Sequence, residues 1–190
     1  MVISARFKPA RDFDQPEYNV FMVRLEHVLD SWKTVRQDTA AAVEDFPADD
    51  LDYRPTPDVA TFREIARHIL DASHGLTGML LTRETVFGGP DFRERLRPHF
   101  LQVPKEVSGA ELAAALRESM EQRVKELAAQ SPEFYSEMIT RFGTPMTRLE
   151  MLQFVKEHEL THRQQLFMYL RLKGIVPATT RRRLAAQAGK

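Results

Sequence analysis

The chain has 190 residues, 43% of them apolar, which suits one domain with a sizeable core and excludes a disordered chain. Its 27 basic and 27 acidic residues balance, which argues against a DNA-binding surface. It has no cysteine, so disulfides, thiolate metal ligands and a cysteine nucleophile are excluded, and any thiol chemistry needs a thiol from outside the chain.

No apolar run approaches the ~20 residues that span a bilayer. Met1 to Arg11 shows no signal-peptide core, so a cytoplasmic protein is expected. Four long segments carry helical periodicity, separated by stretches rich in Pro and Gly. The first is predicted from about Glu17 to about Phe46, with Phe21, Leu25, Val28, Trp32 and Val35 as its apolar stripe. Pro47, Pro55 and Pro57 mark the loop that follows. The second opens at Thr61, which forms a capping box with Glu64, and runs to about Val86 before Gly88-Gly89-Pro90. The third opens with another capping box, Ser108 with Glu111, and ends near Gln130. Residues 133–143 fit an extended stretch or a ragged helical turn. The fourth helix is predicted from Thr144 as N-cap and Pro145 at the first helical position to Lys173, with Gly174 closing it. Four such helices with no convincing strand indicate an antiparallel bundle, although the long inner loops admit a crossover.

The fourth helix carries His158-Glu159-Leu160-Thr161-His162. Residues four apart share a helix face. Met151, Val155, His158, His162, Gln165 and Tyr169 follow a 4-3-4-3-4 spacing, the seam a helix turns towards its partners. Two imidazoles thus stand where aliphatic side chains are the easy choice, and an unpartnered polar ring there costs roughly 1–3 kcal/mol. A metal ion is one explanation, since neutral imidazole suits Zn, Ni, Cu and Fe(II). Catalytic zinc usually takes three protein ligands. His68 supplies a third on the seam Ile65, His68, Ala72, Gly75, Met79 of the second helix, if the two helices are adjacent. The small Ala72 and Gly75 beside it leave room for water or substrate. His27, His74 and His99 are read as surface or boundary residues, and Arg181-Arg182-Arg183 as part of a solvated tail.

His158–His162 also matches H-E-x-x-H, with Glu159 in the general-base position of a zinc protease. No Asp, Glu or His follows His162, however, and no sheet precedes the motif, so a protease is a distant alternative. Glu159 is either a base or a solvated or supporting residue. Gln165 either orients a ligand or packs.

The sequence resembles the DinB-like superfamily, which includes YfiT-type metal proteins and thiol-dependent transferases. The resemblance rests on Tyr53-Arg54-Pro55, on Thr61 to His68, on His158 to Gln165 and on Tyr169 to Gly174, and spans about residues 15–178. Gln164 departs from it, because a small residue is common there. The resemblance implies an all-α, four-helix bundle of the DinB/YfiT-like type over residues 1–178, followed by a polar basic tail, 179–190. It implies His68, His158 and His162 as ligands of one divalent metal, zinc or nickel, and so implies that the second and fourth helices are adjacent. The activity it implies is hydrolysis, or transfer of a low-molecular-weight thiol, on a small-molecule substrate, with Glu159 as a candidate catalytic residue. A homodimer is plausible for such bundles, and neither nucleic acid nor membrane is expected as a partner. A non-catalytic bundle that binds metal, a ligand or a partner is the alternative.

Overall fold

A computed structural model describes residues 23–189. The expected helix start at Glu17, and Phe21 of its stripe, lie outside the described residues. Four long helices dominate: α1 (Leu25–Asp45), α2 (Phe62–Leu81), α4 (Gly109–Ala128) and α6 (Arg148–Leu172). Between them lie α3 (Phe92–Leu96), α5 (Pro132–Ser136) and three short strands, β1 (Val86–Phe87), β2 (Met138–Arg141) and β3 (Thr144–Thr147). A last helix, α7, covers Ala178–Ala188.

The helix starts follow from side-chain chemistry. Thr61, Ser108 and Thr147 each accept a bond from the backbone amide three residues on, and Glu64, Glu111 and Glu150 each accept one from the capping residue's own amide. These reciprocal pairs satisfy donors that a helix leaves unpaired. The fourth long helix therefore starts at Thr147 rather than at Thr144. Thr144 and Pro145 belong to β3 instead, where β2 and β3 form an antiparallel hairpin. Its two turn residues, Phe142 and Gly143, have φ of 45° and 83°, the left-handed pair that a tight hairpin demands. β1 adds to β2 in parallel, completing a small sheet in which β2 takes the extended alternative open for residues 133–143, while β1 and β3 were not expected. The second helix also stops earlier than predicted. Arg83, at φ 62°, breaks it before Val86, which then pairs with Thr140.

Helix α1 packs on α4 and α6, and α2 packs on the same two, so α1 and α2 occupy opposite corners. Arg36 meets Glu159 and Asp38 meets Arg163, so α1 and α6 run parallel. Arg63 reaches Val107 and Arg123 reaches His74, so α2 and α4 are parallel too. Across the other contacts the chains oppose: Arg148 bonds to Leu80 and Tyr169 to Ala60. The bundle thus departs from simple alternation, with the chain crossing a diagonal between α1 and α2.

Two apolar cores fill the bundle. One gathers Val43, Phe46, Phe62, Ile69, Leu112 and Leu170, and the other Trp32, Met79, Leu80, Phe134, Leu152 and Val155. Residues of a polar layer run between them. Arg36 and Glu159, whose side chains are 2% and 1% exposed, form a fork-to-fork pair with contacts of 2.7 and 2.8 Å. Arg36 also donates to Leu116 O, Ser119 Oγ and Ser73 Oγ, which occupies the remainder of its five donors. Glu159 accepts a further bond from Trp32 Nε1 at 2.7 Å and faces the Thr39 hydroxyl at 3.0 Å. The pair ties α6 to α1 and, through Ser73 and Leu116, to α2 and α4. The basic residues of α7 do not simply extend into solvent: Arg181 pairs with Asp45 and Arg182 with Asp38 on α1.

Candidate metal centre

Helix α6 turns Glu159 into the bundle, and its neighbour His158 lies about 100° round the helix. His158 and His162 consequently leave α6 on the side facing α2, where His68 meets them. The Nε2 atom of His158 is 3.4 Å from that of His68 and 3.2 Å from that of His162. One ligand atom from each residue lies within 4.8 Å of the others. The adjacency of the two helices is thus present in the fold.

The spacing matters. Two imidazole nitrogens each ~2.0–2.1 Å from a tetrahedral ion sit about 3.3 Å apart. Hydrogen bonding explains the cluster less well. A single Nε2–H on His158 serves one neighbour but not both. His162 donates Nδ1–H to Gln165 Oε1 at 2.7 Å, which leaves its Nε2 as a bare lone pair directed at the cluster. Burial, then the neighbouring rings and Arg141, push the His158 pKa down to about 4. Burial also lowers His68, with His162 adding to the effect. Rings that resist protonation keep their lone pairs available at neutral pH. The residues present therefore fit a divalent ion held by three imidazoles.

The cluster opens on a cavity of about 540 Å³. His68 and His158 form part of its wall, with Ala72 and Leu76 of α2, Met151 and Phe154 of α6, and Phe87, Phe92, Arg93, Arg141 and Phe142 from the short elements. A second hollow of about 360 Å³ adjoins it, bounded by His68, Asp71, Arg93, Arg97 and Phe100. Burial raises the Asp71 carboxyl.

Several expected residues lie elsewhere. Glu159 is not on the cavity wall, and its carboxylate is engaged by Arg36 and Trp32 in the buried layer. The space over Gly75 is filled: a Cβ there would come within 2.8 Å of Leu96 and 2.9 Å of Phe100. Ala72 alone of that small pair faces the cavity. His74 is no surface residue; it is 9% exposed, with Nδ1 2.7 Å from the His99 carbonyl and beside Arg123. Its pKa is lowered, chiefly by burial. His99 is half-buried and packs on Gly78, where a Cβ would meet it at 2.7 Å. His27 is exposed, against Arg24. Gln165 is exposed and bonded to His162. Arg93, Arg141, Phe87 and Phe142 carry no periodic signal, because short loops and strands bring them to the site.

No helix among the described residues is long and apolar enough to cross a membrane. The model of the DinB family matches residues 19–188. No curated protein matches. Among solved structures, a DinB-like protein from Bacillus subtilis aligns with TM-score 0.60 at 22% identity, over 78% of this chain and 92% of its own. A DinB-like protein from Bacillus cereus aligns with TM-score 0.61 at 19% identity, over 80% and 95%. YfiT from Bacillus subtilis, described as a probable metal-dependent hydrolase with an unusual four-helix bundle topology, aligns with TM-score 0.61 at 17% identity, over 89% and 94%.

Proposed function

The chain belongs to the DinB family, and from that premise we propose that it is a metal-dependent enzyme, a hydrolase or a low-molecular-weight-thiol S-transferase. His68, His158 and His162 hold the metal, zinc or nickel, and a small-molecule substrate enters the 540 Å³ cavity. The observation that carries this reading is the convergence of three imidazoles, two of which, His68 and His158, line an open cavity. A purely structural metal is normally enclosed by four protein ligands, whereas catalysis keeps a position free.

A divalent ion so held supplies Lewis acidity, by which water or a thiol becomes a nucleophile near neutral pH. The chain's own residues do the rest. Gln165 holds the His162 ring so that Nε2 faces the cluster. Leu76, Phe87, Phe92 and Phe154 give the cavity apolar walls that exclude water from the substrate's body. In this reading Glu159 is a positioning residue rather than the catalytic base. Its carboxylate fixes the rotation of α6 through Arg36. That engagement also speaks against a zinc protease, which needs this glutamate free to take a proton from water.

Elemental analysis of purified protein, followed by hydrolysis and thiol-transfer screens with the matched metal, tests the proposal. About one metal ion per chain is expected, with metal affinity sharply weakened and turnover lost in His158→Ala. Unchanged occupancy in that variant contradicts the assignment.

A further inference from the structure

Half-buried and buried arginines of this chain are consistently matched. Arg36, Arg63, Arg95, Arg123, Arg148 and Arg163 each pair with a carboxylate, and Arg67 donates to the carbonyls of Val103 and Pro104. This is what desolvation requires, since a guanidinium taken from water needs acceptors. Arg141 differs. It is half-buried, yet among the described residues no carboxylate lies within 4.0 Å and no acceptor takes its hydrogen bonds. It is held in place all the same. Its guanidinium carbon lies 3.4 Å from the centroid of the Phe154 ring, and Phe142 flanks it at 5.6 Å. Stacking fixes the plane of the group and leaves its donor edge for another partner. Arg141 lines the same cavity as His68 and His158. Arg93, also without a carboxylate partner among the described residues, stands on that wall from α3.

We infer that Arg141, assisted by Arg93, is an oxyanion-recognition site, so that the molecule bound beside the histidines carries a carboxylate or phosphate on an apolar body. The inference deepens the proposed function and rests on its reading of the cavity as the substrate site. The geometry matches both halves of such a ligand. A planar fork accepts two oxygens of an oxyanion in parallel bonds. The remaining wall, with Leu76, Phe87, Phe92, Met151 and Phe154, receives an apolar body. Volume is adequate, since cavities of ~300–1,000 Å³ accept drug-sized molecules.

Calorimetric titration tests this with three probes: 4-phenylbutyrate, phenyl phosphate and the neutral 4-phenylbutyramide. Each is titrated into zinc-loaded and chelator-treated protein. At least one anion is expected to bind about tenfold or more tightly than the amide, in both metal states, a difference near 1.4 kcal/mol. Arg141→Gln should erase that preference, while amide binding and zinc stoichiometry stay unchanged. Arg141→Lys, which keeps charge but loses the fork, should retain part of it. The stronger anion identifies carboxylate or phosphate. A preference that survives intact in Arg141→Gln, or that appears only with zinc present, overturns the inference, because the metal alone then recognises the anion. Failure of either anion to bind the wild type more tightly than the amide overturns it equally. Loss of zinc binding by the wild type would instead count against the metal reading, and the chelator-treated titrations still decide the role of Arg141.

Discussion

At the scale of the residue, the site depends on neutral imidazole. The His158 ring is pushed down to about 4 by burial and by the cationic and imidazole groups around it. The unfolded ring titrates near its ordinary value of 6.5. Between those values the unfolded chain binds a proton that the folded chain refuses, so stability rises with pH. Metal-free protein should therefore lose stability as pH falls from 6.5 towards about 4, and His158→Gln should flatten that dependence. Denaturant unfolding at a series of pH values measures it. A variant whose pH profile coincides with the wild type would show that the ring is not held neutral. The sequence made His158 and His162 legible because spacing four apart is a direct geometric statement about a helix face, whereas His68 joined them only through the family resemblance. It could not reveal Glu159's role. Position 159 differs from 158 by one residue, and only the partner helix decides which of the two enters the core.

Elements determine where those residues point. Trp32, Arg36 and Thr39 of α1 converge on Glu159 and so set the rotation of α6. Replacing Glu159 by Gln leaves the Arg36 guanidinium buried without its counter-charge, which should cost roughly 3–5 kcal/mol of unfolding free energy. Equilibrium denaturation of Glu159→Gln is the check. Wild-type stability accompanied by lost turnover would return the carboxylate to the chemistry. Capping boxes made the starts of α2 and α4 readable from sequence. The same signal exists at Thr147 and Glu150, and it outweighs the Thr144-Pro145 pairing. Beyond the extended alternative open for residues 133–143, the strands were illegible for a physical reason. β1 has two residues and β2 and β3 have four each, too short for alternation to declare itself. Yet these elements deliver Phe87, Arg141 and Phe142 to the cavity. Similarly, Gly75 reads as open space but is a close-approach point, where Leu96 and Phe100 press on α2.

For the whole molecule, bundle topology brings the three histidines together. With α1 and α2 at opposite corners, α2 lies between α4 and α6 and presents His68 to His158 and His162. Helix periodicity specifies which face is buried but not which neighbour it meets, so the four helices were foreseeable and the parallel pairing of α1 with α6 was not. The polar layer between the two cores gives one helix register a fully bonded arrangement, and every other register a buried charge without a partner. The histidine cluster sits beside that layer, because His158 adjoins Glu159 on α6. X-ray absorption at the metal edge of the zinc- or nickel-loaded protein reads the result directly. Three imidazole nitrogens at ~2.0–2.1 Å for zinc, reduced by one in each of His68→Ala, His158→Ala and His162→Ala, are expected. A spectrum dominated by oxygen ligands, or one that none of the three substitutions alters, would contradict convergence of these rings on a common ion.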